Sequence, residues 1–248
     1  MQIQKTEILV LSSKNSDEND VTCTALSPEF GKINLIFKGL LKSKRRSICI
    51  RDPGSVAEII FYRKESKSFF YISDFVLIST PEKVRNNVEL YYYHCFLLEL
   101  ISKITTENTK NSFIYNISKK VLAILETEKD SLMLVLFFVL HVLQHNGIMP
   151  DLSQCEVCGS SSASHYNLDF NGKSLICREC TPSYNRDNFS FSSNTVTFMN
   201  NSLKTKYSAN DFSIISRLEA EKSLFYLVLF LEDYFHIIIN SKDFIFKK

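Results

Sequence analysis

Glycine is scarce. Six in 248 residues leave little material for turns that cradle phosphates, and no Gly-rich phosphate loop occurs. A Gly-x-Ser-x-Gly nucleophile elbow is also missing, as is an aspartate cluster suited to two-metal nuclease work. Zinc-deaminase chemistry needs a histidine-and-glutamate knuckle ahead of paired cysteines, and none is present. These absences make an enzyme the weaker class. Charge of one sign is equally short: 29 Lys and Arg face 27 Asp and Glu, a net charge of +2, too mild to identify a partner, so any basic surface must be local. The longest apolar run, Leu132 to Leu143, is too short to span a bilayer and contains His141. The amino terminus, Met1-Gln-Ile-Gln-Lys-Thr-Glu, lacks the regions of a secretory signal. A soluble, cytoplasmic protein with no membrane partner is expected.

What the chain does contain is organised around four cysteines. Cys155-Glu-Val-Cys158 and Cys177-Arg-Glu-Cys180 form C-x2-C-x18-C-x2-C, a spacing that lets two tight knuckles converge four thiolates on one tetrahedral zinc. A thioredoxin-like redox pair explains one knuckle, not two. Between them, His165–Phe170 and Lys173–Ile176 alternate like strands around Asn171-Gly172, the favoured pair for a type I′ hairpin turn. Four protein ligands leave no open position for water or substrate, so the one expected zinc is structural. Removing the quartet from seven cysteines leaves Cys23, Cys49 and Cys95 without a pairing scheme, which suits a reducing compartment.

At 45% hydrophobic content the chain can bury two ordinary cores. An α+β protein of two domains is expected. The runs Thr6–Leu11, Val21–Ser27, Lys32–Lys38, Val56–Arg63 and Phe69–Ile78 read as five strands without an intervening helix. They suggest an N-terminal barrel over 1–80 like the oligonucleotide/oligosaccharide-binding (OB) fold; an SH3-like barrel has the same strand count. In the third run a period of two sends Ile33, Leu35 and Phe37 inward and Lys32, Asn34, Ile36 and Lys38 outward. Lys42, Lys44, Arg45, Arg46 and Arg51 follow, and no acidic residue stands between Glu29 and Asp52. A solvated loop accounts for such a run; a groove that tracks phosphates accounts for it equally, because the acid-free stretch begins in an ordered strand. Of Phe69, Phe70 and Tyr71, which are able to stack bases, alternation buries at least some.

Thr80-Pro81 is the expected boundary, with proline opening a helix. An α-helical domain over 81–248 follows: Val88–Ile104, Ser112–Glu126, and an apolar helix opened by Asp130 and closed by Gly147 and Pro150. The zinc-ribbon-like insertion with its four cysteines, at 153–183, comes next. Residues 184–211 read as loop with a short strand at Thr195–Met199, and Glu219–Ile239 as a terminal helix packing on the other three. His141 and His145, four apart on one helix, have zinc-holding geometry but lack the metalloprotease glutamate, because position 142 is Val; a partly buried, satisfied pair is the plainer reading.

Two stretches carry a family resemblance. Ser27-Pro-Glu-Phe-Gly-Lys32, followed by Lys38-Gly39 and a basic loop, is similar to the Thr-x-Glu-x-Gly-Lys start and Lys-Gly-x-Arg-Lys run of the RecO family of bacterial recombination mediators. Gly147-Ile-Met-Pro150-Asp-Leu152-Ser-Gln-Cys155-Glu-Val-Cys158-Gly159 resembles that family's Gly-x-x-Pro-x-Leu-x-x-Cys-x-x-Cys-Gly. Leu41 stands where the family usually has a basic residue and Arg45 where it often has Ser. The resemblance implies a non-enzymatic, nucleoid-associated protein that binds single- and double-stranded DNA and anneals strands. It also implies work with RecR and the single-stranded-DNA-binding protein to load the recombinase RecA. Lys32, Lys38, Lys42, Lys44 and Arg46 are the matched basic positions; Arg45 and Arg51 rest on charge alone. The rival readings are a zinc-containing protein-interaction adaptor and a zinc hydrolase built on His141 and His145.

Overall fold

Residues 2–63, 69–127, 130–169, 174–182, 190–205 and 215–246 are described by a computed structural model. The chain divides into two compact units, Met1–Thr127 with Ile239–Ile245, and Glu128–Ile238 with Phe246–Lys248.

In the first unit, β1 (Gln2–Asn15), β2 (Val21–Ser27), β3 (Gly31–Phe37), β4 (Val56–Arg63) and β5 (Phe69–Ser79) form a closed barrel in the order β1-β2-β3-β5-β4. β1 pairs with both β2 and β4, and β3 runs parallel to β5. That closure, with one parallel pair among antiparallel ones, is OB-like and sets aside an all-antiparallel SH3-like barrel. The strict alternation of β3 holds: Ile33, Leu35 and Phe37 are buried between half-buried Lys32, Asn34 and Ile36. Phe61 is fully buried in the core, meeting Phe30 edge-on at 5.4 Å and Phe70 at 5.4 Å; such pairs add to the gain from apolar burial. Leu40 and Ile50 belong to the same core, so the β3–β4 connection is pinned at both ends and arches outward between them.

Pro81 is buried but opens no helix. α1 (Val88–Ile104) starts seven residues later, where the Asn87 side chain caps the Leu90 N–H at 3.1 Å. α2 (Ser112–Leu125) is capped by Asn111 and tied to β1 through Tyr115 and Lys119, which both donate to Glu7. The loop between α1 and α2 lies on the start of β3. Gly31 has a positive φ of 69°, and a Cβ there would stand 2.1 Å from the Thr109 carbonyl oxygen, so only glycine permits this approach. Glu99 of α1 accepts the N–H groups of Asn240 and Ser241 and pairs with Lys103. These bonds outweigh partial burial and hold its carboxyl at about 2.

In the second unit, α3 (Ser131–His145) is capped by Asp130 and buried on every side from Ser131 to Leu140. β6 (His165–Asp169), β7 (Ser174–Cys177) and β8 (Ser190–Ser192) form a sheet in the order β7-β6-β8. The expected Asn171-Gly172 turn lies outside the described residues. Two expectations need correction. The segment read as loop with a strand at Thr195–Met199 instead holds β8 and the helix α4 (Ser193–Lys204). Its Thr-Val-Thr run imitates a strand, but Thr195, Phe198, Met199 and Ser202 are buried at helical spacing, and Ser192 caps the Thr195 N–H at 3.2 Å. The terminal helix α5 (Arg217–Phe235) opens with a Ser216/Glu219 capping box and ends earlier than expected, at left-handed His236. Within its unit it packs on α3 and α4; α1 and α2 belong to the first unit. A short α6 (Lys242–Ile245) completes the first unit, where Phe244 stacks on Tyr92 at 5.2 Å.

Candidate thiol centre and nucleic-acid interface

The two knuckles close as their spacing requires. Cys155 opens a turn in which the Gly159 N–H returns to its carbonyl at 2.8 Å, and the N–H groups of Cys180 and Thr181 return to the Cys177 carbonyl at 3.1 and 3.0 Å. The β6–β7 pairing sets Tyr166 against Cys177 and so carries the second knuckle to the first. All four sulfurs lie within 4.8 Å of one another, and Cys158 Sγ stands 3.7 Å from Cys177 Sγ. Four ligands at about 2.3 Å around a tetrahedral zinc are spaced roughly 3.8 Å apart, so the donor set fits that ion. Burial raises the Cys155 thiol, but the N–H groups of Cys177, Cys158 and Val157 outweigh it and bring it down to about 6. Burial and neighbouring sulfurs push Cys177 up to about 12. A polarised set of this kind gains from a cation that takes up all four thiolates.

Among the described residues this quartet is the one group of three or more potential ligands. His141 and His145 do not join it. The His141 ring lies 4.0 Å from that of Phe137, and its Nδ1 is 2.9 Å from the Phe137 carbonyl oxygen.

The seven basic residues from Lys32 to Arg51 divide into two sets. Lys38, Lys42, Lys44 and Arg45 are exposed on the arch after β3, and none forms an ion pair among the described residues. The amino group of Lys38 stands 5.1 Å from the centre of the Tyr71 ring, a cation–π distance. Lys32, Arg46 and Arg51 differ. Lys32 donates to the Ser102 carbonyl at 2.7 Å near the C-terminal end of α1, where the helix dipole favours a cation. Burial lowers its pKa, partly offset by Glu107. Arg46 is half-buried and donates to the carbonyls of Ser73 at 2.9 Å and Lys38 at 3.4 Å, which fastens the arch to β5. Arg51 is half-buried at the end of a short 3-10 turn, where its charge partly offsets the burial that pushes the Cys23 thiol up to about 12.

The β1–β2 turn braces the arch from the other side. Asp20 accepts the Gly39 N–H at 2.8 Å, and the Asn19 carbonyl accepts the Leu41 N–H at 3.0 Å. These bonds were not legible in the sequence, because each joins residues some twenty or so positions apart. Glu107, more distant still, accepts from Asn34 at 3.2 Å and covers the start of β3. The acid-free window in the local sequence hid it.

A closed OB-like barrel with an exposed cationic arch, carried on one chain with helices and a tetrathiol centre, defines the architectural class of the protein. The comparisons narrow the class. Residues 1–81 match the family model "Recombination protein O N terminal" and residues 85–233 match "Recombination protein O C terminal". A DNA repair protein RecO from Caldanaerobacter subterraneus is 25% identical over 249 residues, covering 100% of this chain and 99% of that relative. Its namesake from Alkaliphilus metalliredigens is 26% identical over 194 residues, 78% of this chain and 77% of the relative. The one from a Thermoanaerobacter species is 28% identical over 181 residues, 73% and 72%. The chain belongs to the RecO family of DNA repair proteins. Among the described residues no helix is long and apolar enough to cross a membrane.

Proposed function

We propose that this chain is a non-enzymatic recombination mediator. In this reading it binds single- and double-stranded DNA, anneals complementary strands, and acts with a RecR-like protein and the single-stranded-DNA-binding protein to load a recombinase. One observation supports this above the others: four exposed cations, Lys38, Lys42, Lys44 and Arg45, stand on one short arch without a carboxylate partner among the described residues. Cations left unpaired by the fold are available to phosphates, and counterion release then supplies much of the affinity. Annealing needs no nucleophile, only a surface that lowers the repulsion between two strands. Arg46 serves as a positioning residue for the arch and Lys32 for the start of β3, so neither is assigned a phosphate. The barrel, residues 1–80, makes the nucleic-acid contact. Residues 81–248 form the helical part, in which Cys155, Cys158, Cys177 and Cys180 hold one structural zinc within 153–183.

The test is the salt dependence of oligonucleotide binding. Replacing Lys38, Lys42, Lys44 and Arg45 together by Ala is expected to flatten the log-affinity against log-salt slope by about 0.7–0.9 for each phosphate no longer neutralised, with the urea midpoint unmoved. An unchanged slope in the folded variant overturns the reading. Unmodified protein that ignores oligonucleotides altogether yet binds a protein partner would favour the adaptor instead.

A further inference from the structure

The outer wall of the barrel beside the arch carries aromatic rings where a soluble barrel needs none. Along the parallel pair, Asn34 stands beside Phe69 and Ile36 beside Tyr71; across the antiparallel pair, Tyr62 stands beside Tyr71. Paired residues share a face and alternate ones point away. Leu35, Phe70 and Phe61 therefore enter the core, at 0%, 6% and 0% exposure, whereas Phe69 and Tyr62 face outward at 42% and 37%, with Tyr71 half-buried between them. The backbone sets the spacing of the three positions: those of Phe69 and Tyr71 are roughly 6.7 Å apart along β5, and those of Tyr71 and Tyr62 roughly 4.8 Å apart across the sheet, by strand geometry. Cations border one end. Lys38 extends β3 two residues past Ile36 with its amino group over Tyr71, and Arg46 donates to the Ser73 carbonyl two residues past Tyr71. The carboxylates bordering the patch are Glu107, bonded to Asn34 at the far end, Asp74, which accepts the Phe75 N–H, and Asp20, which accepts the Gly39 N–H beside Lys38.

We propose that Tyr62, Phe69 and Tyr71 form a stacking platform for unpaired nucleobases, with Lys38 engaging the adjoining phosphate, so that this wall confers preference for single-stranded over duplex nucleic acid. The inference rests on the nucleic-acid reading above and adds the strand preference to it. Every base has a π face, so stacking on rings tolerates any sequence. A duplex keeps those faces stacked on one another and offers the platform only phosphates. An exposed apolar patch also suits a protein partner. The neighbouring exposed cations, which form no ion pair among the described residues, favour a polyanion whose apolar parts are flat rings.

The chain has no tryptophan, so Phe69→Trp places a single indole on the platform. Its emission is expected to be quenched at least twofold by saturating oligo-dT and to stay unchanged with a duplex of equal length. Tyr62→Ala with Phe69→Ala is expected to weaken oligo-dT binding about tenfold or more. Duplex affinity should stay within twofold and the salt slope should not move, since no charge is removed. Equal quenching by duplex, or single-strand affinity unaltered in the double variant, overturns the platform while leaving the cationic arch standing. Absence of any nucleic-acid binding by the unmodified chain overturns both.

Discussion

The tetrathiol centre and the cationic arch are both built from like groups crowded together, and they resolve that crowding in opposite ways. The thiols are drawn inward until the sulfurs are within 4.8 Å of one another, with Cys155 and Cys177 buried, an arrangement suited to a small ion held inside the fold. The cations are held apart on an arch anchored by Leu40, Ile50 and Arg46, so their chemistry stays open to a partner outside. A converging site is coupled to folding because its ligand is part of the folded state. A diverging one is coupled to binding, and the fold survives its removal.

The largest expected effect breaks the closed member. Cys155→Ser removes a ligand buried at 1% exposure. Structural zinc contributes about 10–16 kcal/mol to isolated zinc-finger peptides, and part of that is at stake here. The expected outcome is a fall in bound zinc from one per chain, a lower melting temperature and a loss of soluble protein, all before any change in DNA affinity. Metal analysis beside a thermal melt checks it. A stable, metal-free variant with selectively lost DNA binding would show that the centre acts at the interface instead.

A smaller effect concerns a group that is closed off without being satisfied. His94 of α1 is 5% exposed, its Nε2 has no hydrogen-bond partner among the described residues, and a Cβ on Gly54 would come within 2.3 Å of that nitrogen. Burial lowers its pKa from 6.5 to about 4. The unfolded chain therefore takes up a proton between pH 6.5 and 4 that the folded chain refuses. Stability is full above that window and falls as pH drops through it, by about 3 kcal/mol in all. The urea midpoint should decline from pH 7 to pH 4.5, and His94→Leu should flatten the decline. Glu7 and Glu99, whose carboxyls are held below the ordinary 4.5, titrate lower and act in a separate window. An equally steep decline in the variant would assign the acid sensitivity to other groups.

Legibility follows the same division between local and distant causes. The strands β2 and β4, the helix α1 and the two knuckles begin and end where periodicity, capping residues and cysteine spacing place them, because each depends on neighbours in sequence. α4 was hidden because Thr195, Val196 and Thr197 favour a strand locally. Its helix forms because Thr195, Phe198, Met199 and Ser202 share one buried stripe and Glu219, from α5, accepts from Ser192 at 2.6 Å. Tertiary packing overrides propensity there. The cationic run was legible as a charge pattern. Which of its members were free was not, because the Ser102 carbonyl that accepts from Lys32 and the Ser73 carbonyl that accepts from Arg46 come from remote parts of the chain.

Lys32 in β3 and Lys38, the residue that follows it, give the finest test of the comparison, since the strand's period of two sets them on one face and they differ in what meets them. Lys32 is engaged internally, with its amino group on the Ser102 carbonyl and its own carbonyl accepting the Asn108 N–H at 3.0 Å. Lys38 projects from the exposed arch. Lys32→Met should cost about 1.5–3 kcal/mol, the range for a hydrogen bond to a charged group, and leave the salt slope of DNA binding where it was. Lys38→Met should leave the urea midpoint unmoved and reduce that slope by about 0.7–0.9. Measuring both quantities on both variants separates fold-holding charge from ligand-holding charge. If Lys32→Met moved the slope and Lys38→Met moved the midpoint, the division of cations drawn from their partners would be reversed, and the nucleic-acid path would have to begin at the α1–α2 loop rather than at the arch.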